Sequence, residues 1–546
     1  MKLSAMAKLG TVATLATMLL AACGNGASPA KSSTAQAKNQ TLTWMESSSL
    51  TSMDNSLATD IISAETLNNT GAGLLKFGAG NKTYPSVATR YTKSKDGKTY
   101  TFYLRKSKWS NGQPVTAKDF VYGWQRTVNP KTGSQYSYLY ADIKNDTAIS
   151  KGKEPASDLG VKAEGNYKLV VNLVHPISYF PTLVAQVSFF PQNKSVVQKY
   201  GKAYAANAQN NVYNGPFKLT YWTGTSDNWT LTKNPSYWDA KGVKLHQLKF
   251  SAVKDPQTAL SQYQSGKLDA IYLTGQQPRN LKSNPGYRSL TSARAAYVEM
   301  NEKHDSLMRN TKARQALSLA INRTQFTKKV LADGSIPATG IVTKGLTTYK
   351  GKDFATEATD PSATAYDQAK AKKLWAEALK ETGRKSYNMT LMSDDTPVGK
   401  STTEYLQSEW SKLPGLKVTN QNIPYKTRLA RSAAGQFDVV VSLWGADFPD
   451  PITDLQLFTS GNTYNNGKWS NKAYDSLINK VTTTDANNPD KRWNEMVSAQ
   501  KILLQNEGII PLYQGGKPQL LKSKVKDVVY YPIGANWDFS HAYISK

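Results

Sequence analysis

One cysteine, Cys23, stands in a chain of 546 residues. A chain with a single thiol closes no internal disulfide, so its fold must be held by packing. Hydrophobic residues at 39% and aromatics at 10% supply that packing and argue against global disorder. The length is beyond one small core, and two or three lobes are expected. The stretch from Leu9 to Ala22 is apolar, yet shorter than the roughly 20 residues that span a bilayer as a helix. No long uninterrupted apolar run follows residue 22, so no later membrane crossing is expected.

The position of the cysteine is as informative as its solitude. Lys2 and Lys8 precede the apolar stretch, and Leu20-Ala21-Ala22-Cys23 closes it. That is the layout of an export signal, with a positive start, an apolar middle and small residues at the cut. The last four residues resemble the bacterial lipobox, which implies cleavage after residue 22 and a lipidated Cys23 as the new N-terminus. The alternative is an ordinary cleaved signal with a chance cysteine. Residues 23–40, rich in Ser, Ala, Gly and Lys without a bulky apolar side chain, are expected to be a flexible tether. The expected location is the extracytoplasmic face of the cell membrane, with a lipid anchor that favours a Gram-positive cell.

Lys and Arg total 68 against 40 Asp and Glu, a formal charge of +28. The lysines are scattered, and no helix-turn-helix, zinc-finger or RNA-recognition signature accompanies them, so nucleic acid is not an expected partner. A solvated basic surface explains the charge, and attraction to anionic lipid or wall polymers is its simplest use.

The folded part is expected from Thr41, where Thr41-Leu42-Thr43-Trp44 alternates like a strand. Thr99 to Leu104 and Tyr167 to Leu173 alternate likewise. Lys218–Tyr221 and Thr230–Thr232 suggest a hairpin with Gly224 and Asp227-Asn228 in its turn. Helical periodicity governs Asn310 to Leu331, where Ala313, Ala316, Leu317, Ala320 and Ile321 share a face. Tyr366 to Thr382 is a second helix stopped by Gly383, and a third opens at Pro489 and ends at Gly508. Strands and helices without strict alternation indicate α/β or α+β lobes.

Motifs of catalysis are missing. The chain holds no P-loop, no G-x-S-x-G elbow and no H-E-x-x-H, and its four histidines, His175, His246, His304 and His541, form no spaced ligand set. No enzyme, metal or cofactor is expected.

Several segments, in order from Thr41 to the C-terminus, resemble the peptide and nickel family of ABC-transporter solute-binding proteins, and most of all its oligopeptide-binding lipoproteins. They include Met53-Asp54 with Ala64-Glu65-Thr66-Leu67-Asn68-Asn69, and the run from Trp109-Ser110-Asn111-Gly112 to Asp119-Phe120-Val121. Asn214-Gly215-Pro216-Phe217, Lys233-Asn234-Pro235-Ser236-Tyr237-Trp238-Asp239 and Ala313 to Arg323 continue the match, which closes with Ala446-Asp447-Phe448-Pro449-Asp450-Pro451 and Gly508 to Tyr513. The resemblance implies an α/β fold, a three-lobed periplasmic-binding-protein-like clamshell (type II, cluster C) enclosing ligand between two lobes. Carried over, lobe I is 41–75, 188–295 and 516–546, lobe II is 76–187 and lobe III is 296–515.

The resemblance further implies capture of oligopeptides by a monomeric protein that docks on a membrane permease. A receptor for signalling peptides, or a surface adhesin using the basic charge, stands as the alternative. Peptide capture needs an acid for the α-ammonium and a surface for the backbone; the matching segment puts the acid at Asp447. A helix cap or surface acid near Pro449 is the competing role for that residue. Trp444, Gly445 and Ala446 belong to the same segment. Tyr136, Asn214, Gly215 and Thr59 are weaker carry-overs, each with a packing or turn role as alternative. Gln514-Gly515-Gly516 departs from the family, whose members often carry more tyrosines there, and this loss of bulk would open the pocket or shift the preferred ligands. No single basic residue stands out as the partner of the peptide carboxylate.

Overall fold

A computed structural model of the chain describes residues 35–78, 82–177 and 179–546. Cys23, the signal segment and most of the expected tether lie outside the described residues. The last part of that tether does not behave as one. Gln36 bridges Ser545, and Ala37 N–H donates to Ile544 O at 2.8 Å. The buried Gln40 side chain donates to Ile544 O at 2.9 Å and accepts from Ile544 N at 3.0 Å. These glutamine contacts satisfy backbone groups that would otherwise be buried unpaired, so the ordered body starts ahead of Thr41 and a tether over 23–40 is too long.

The largest sheet among the described residues is mixed. Its order runs Phe217–Tyr221, Asn228–Lys233, Gln247–Ala252, Thr41–Glu46, Ala270–Tyr272, Ile510–Leu521, Tyr287–Met300, Val439–Gly445, Tyr387–Asp394 and Leu416–Ile423. The predicted hairpin is its edge, although Asn228 already belongs to a strand rather than the turn. Thr41–Glu46 lies parallel to Gln247–Ala252, and Trp44 packs edge-on to Trp537 and Phe539 with ring centres 4.8 and 4.9 Å apart.

A separate four-stranded antiparallel sheet is ordered Ala88–Lys93, Thr99–Leu104, Lys168–Asn172, Val161–Ala163. The alternation read in Thr99–Leu104 is physical: Tyr100, Phe102 and Leu104 are buried and the residues between them are half-buried. That is how a strand with one face on a core reads.

Two helix expectations need correction. The stripe from Asn310 does not run unbroken to Leu331; a helix covers Thr311–Leu319, and Asn322 then caps a new turn by accepting from Gln325 N. The chain continues as a wider helical turn over Phe326–Leu331. An asparagine at a cap outcompetes helix continuation because its side chain takes a backbone donor. The helix Pro489–Gln505 ends before Gly508. Gly508 N donates to Leu503 O and Glu507 N to Leu504 O, at 3.0 and 3.1 Å, a Schellman ending with Glu507 in the left-handed position at φ +44°. Gly508 serves space instead, because a Cβ there would sit 2.7 Å from Leu503 and Trp469 atoms.

Two long strands, Tyr287–Met300 and Ile510–Leu521, pair at the sheet centre. Tyr287–Met300 sends Ala295 and Tyr297 into one hydrophobic core and Ala296, Val298 and Met300 into another. Its antiparallel register against Ile510–Leu521 jumps from Thr291 opposite Gly516 to Ala295 opposite Gln514, and on its other side it pairs with Val439–Gly445.

Candidate functional site

Two cavities share a wall. The smaller, about 60 Å³, is lined by Thr59, Tyr136, Gln186, Trp444, Gly445 and Asp447 among others. The larger, about 190 Å³, is lined by Glu46, Glu65, Lys517, Asp333, Asp394 and Arg428 among others. Ile61, Arg294, Tyr425 and Leu443 belong to both walls.

Asp447 follows the strand Val439–Gly445, whose run of Val and Leu suits a fully buried position in the sheet. Its backbone is fixed from three sides. Gln186 Nε2 donates to Asp447 O, Asp447 N donates to Thr453 Oγ1 at 3.1 Å, and Gly534 N donates to Ala446 O at 2.8 Å. Asp447 as a residue is 7% exposed. Oδ1 accepts from Tyr136 OH at 3.3 Å, while Oδ2 is buried with no hydrogen-bond partner among the described residues. Burial pushes its pKa up to about 7 against the opposing Tyr136 hydrogen bond. Asp447 is therefore neither a helix cap nor a surface acid.

Aromatic rings enclose the same point. Trp444 stands edge-on to Tyr464 at 4.8 Å, and Tyr136 lies 5.5 Å from Tyr464 and 6.4 Å from Trp444. A buried carboxylate beside aromatic rings can receive a cation.

Of the residues expected from sequence, Asp447, Trp444, Gly445, Tyr136 and Thr59 meet in the smaller cavity. Ala446 does not line it; it is fully buried, and its amide donates to Ala293 O at 2.9 Å. Asn214 and Gly215 are elsewhere. The Asn214 side chain accepts from Ala72 N and donates to Ala72 O, at 3.0 and 2.9 Å. A Cβ at Gly215 would lie 2.5 Å from Gly71 N. Both residues clamp the end of the helix Ile61–Thr70, so their motif serves packing. Gly515 and Gly516 do line the larger cavity.

Sequence reasoning missed Arg294, Glu46, Glu65, Tyr425 and Lys517. The signal for Arg294 was a guanidinium set among small apolar residues in a strand. Glu46 and Glu65 both line the larger cavity, and Lys517 Nζ lies 3.8 Å from Glu65 Oε1. Burial raises both carboxyls and lowers Lys517. Lys254 and Asp395 form an ion pair at 2.7 Å, Lys254 itself lining the larger cavity. No group of three or more His, Cys, Asp or Glu among the described residues could hold a metal ion.

Comparison with known proteins places this geometry in context. Residues 82–466 match the profile of the bacterial extracellular solute-binding proteins, family 5 Middle. The chain is 36% identical over 561 residues to a dipeptide-binding protein of Lactococcus lactis subsp. cremoris, covering 100% of both. The structure of Listeria monocytogenes OppA bound to peptide is similar at a TM-score of 0.90 and 36% identity, over 93% of this chain and 100% of that one. The Escherichia coli murein tripeptide binding protein MppA gives 0.86 at 28% identity over 94% and 100% of the two chains. An unliganded open form of MppA gives 0.60, over 94% and 99%. The fold is that of the OppA-type periplasmic binding proteins, a mixed α/β clamshell, and the present arrangement is far from the open form.

Proposed function

Because this chain belongs to the bacterial extracellular solute-binding proteins of family 5, we propose that it captures peptides outside the cytoplasm and delivers them to the permease of an ABC importer. The observation that carries this reading is Asp447, a buried carboxylate with one unpartnered oxygen, facing a cavity walled by aromatic rings. A peptide's α-ammonium, stripped of water in a closed cleft, needs such an ionic partner. The likeness to dipeptide-binding and peptide-bound relatives supports the same ligand class.

In this proposal the three lobes have the boundaries implied by the resemblance, with lobe I opening ahead of Thr41, and the two cavities form the cleft between lobes I and III. Both cavities draw wall residues from 41–75 and from 296–515, and Tyr136 and Gln186 add a contribution from lobe II. Hinge closure around the ligand is the motion. Lipid on Cys23 would hold the protein at the outer face of the membrane of a Gram-positive cell. It acts as a monomer and performs no chemistry on the peptide.

Native mass spectrometry of protein taken directly from its expression host tests the proposal. Co-purifying masses forming a ladder of short peptides are expected. A cleft that is empty and stays empty with added peptide mixtures would overturn it, and one discrete ligand would redirect it to a specialised receptor.

A further inference from the structure

The strand Ile510–Leu521 carries Gly515, Gly516 and Lys517 into the wall of the larger cavity. Lys517 pairs with Leu290 of the strand Tyr287–Met300. Just beyond that pair, Ser292, Ala293 and Arg294 face Gly515 alone, a bulge that bends the strand and re-aims its side chains. Arg294 reaches the same wall from there.

The Lys517 ammonium is enclosed by rings. Its Nζ lies 4.7 Å from the ring centre of Tyr272, 5.4 Å from that of Trp537 and 5.8 Å from that of Tyr530. All three are within the roughly 6 Å over which a ring face attracts a cation. The rings are held independently of the lysine. Trp44 Nε1 and Trp537 Nε1 both donate to Tyr272 OH, at 3.3 and 2.8 Å, and Tyr530 pairs with Trp537 across a short antiparallel ladder. Lys517 Nζ also donates to Asn536 Oδ1 at 3.3 Å and stands 3.8 Å from Glu65 Oε1, with its side chain 14% exposed. Three ring faces, an amide oxygen and a carboxylate form a cage for an alkylammonium, and the chain fills it with its own. Tyr272, Glu65 and Lys517 all line the larger cavity, so the cage opens on it.

The rest of that cavity offers little to a second cation. Asp394 Oδ2 stands 3.9 Å from Arg428 Nη2. Burial favours the neutral forms of Glu46 and Asp333. Ile61, Val253, Leu273, Val398, Leu443 and Tyr513 supply an apolar lining. An apolar cavity of about 150 Å³ takes a benzene-sized guest, so one of about 190 Å³ admits a leucine or phenylalanine side chain. A lysine entering there would meet the charges of Lys517 and Arg294 with its own water removed, and like charges brought together in that way repel strongly. We propose that Lys517 is the built-in occupant of a cation cage, and that by filling it the protein reserves the larger cavity for uncharged, apolar side chains of a bound peptide and turns away lysine and arginine. This rests on the peptide-capture reading and adds to it a side-chain selectivity with a named residue.

Calorimetry on the purified full-length protein, stripped of peptide, tests this with a pentaalanine host carrying norleucine or lysine at positions two to five in turn. The two side chains nearly match in length, and only lysine adds a charge. At the position whose side chain enters the larger cavity, norleucine should bind at least about tenfold more tightly than lysine. Lys517→Met and Lys517→Gln empty the cage, so both should cut that ratio by at least about tenfold. Lys517→Arg keeps the charge and should keep the ratio. Each ratio compares two peptides on one protein, so a general loss of affinity cancels. The proposal is overturned if no position reaches tenfold in the unaltered protein, if the ratio survives removal of the charge, or if it falls equally in Lys517→Arg. Those results leave peptide capture standing. Binding of none of the peptides by the unaltered protein removes the capture reading itself, and this one with it.

Discussion

Asp447→Asn separates recognition from closure. In the present structure burial lifts this carboxyl from 3.8 to about 7. In an opened cleft, back in water, it returns to the ordinary range. A shift of about three units at 1.36 kcal/mol each makes closure over an empty, ionised Asp447 costly by about 4 kcal/mol. The pKa is raised on closing, so closure is favoured in acid. The cost sets in as pH rises above the open-state value, grows to about pH 7 and is constant beyond it. A ligand ammonium removes the cost, and asparagine never incurs it. Small-angle scattering of peptide-stripped protein at pH 5 and pH 8 reads this directly. The unaltered protein should become more open at pH 8, with the closed-to-open ratio falling by about a hundredfold between the two values, while Asp447→Asn keeps one radius of gyration at both values. The same variant should bind a free-amine peptide about a hundredfold more weakly at pH 7.5, because it leaves a buried ammonium unpaired. A loss below tenfold, or an unaltered protein as compact at pH 8 as at pH 5, would refute the assignment of Asp447 as the ammonium receptor that couples to closure.

Adjacent glycines should behave differently. A Cβ at Gly516 would sit 2.6 Å from Asp333 O, so Gly516→Ala should lower stability by about 1–3 kcal/mol in thermal denaturation. At Gly515 the nearest atom is Arg294 O at 3.8 Å, so Gly515→Ala should melt with the unaltered protein; equal losses would count against this packing account. His175 Nε2 stands 2.9 Å from Asp142 Oδ1, and the Asp142 carboxylate raises the histidine pKa. The stabilisation is full below the unfolded histidine value near 6.5 and fades as pH climbs through the raised folded value. Chemical denaturation of His175→Gln across pH 5.5–8.5 should lose that slope, and an unchanged slope would reject it.

Sequence pattern revealed elements where one physical rule dominated. Thr99–Leu104 alternates because one face meets a core, and Gly383 ends its helix with φ +69°. Pattern failed where two rules competed. Asn322 caps a new turn inside an apolar stripe, and Glu507 takes the left-handed position that glycine usually fills. The place of Asp447 in a cavity wall was legible through a resembling motif, yet Asn214 and Gly215, from an equally good motif, pack against the end of a helix instead. A motif reports that residues matter together, and only their neighbours say whether the reason is ligand or fold. Arg294 escaped notice because its placement depends on a bulge, which leaves no trace in periodicity.

That bulge also limits how this wall can be remodelled. Downstream of it, Ala295 and Tyr297 serve one core and Ala296, Val298 and Met300 another. Deleting one residue between Ser292 and Arg294 would slip the register and exchange the two sets. Tyr297 and Glu299 would then seek the places of Val298 and Met300, and both cores would be lost together. Exchanging a side chain at Arg294 or Gly515 has no such reach. Ligand preference here is open to changes of chemistry, while an insertion or deletion is a change of fold.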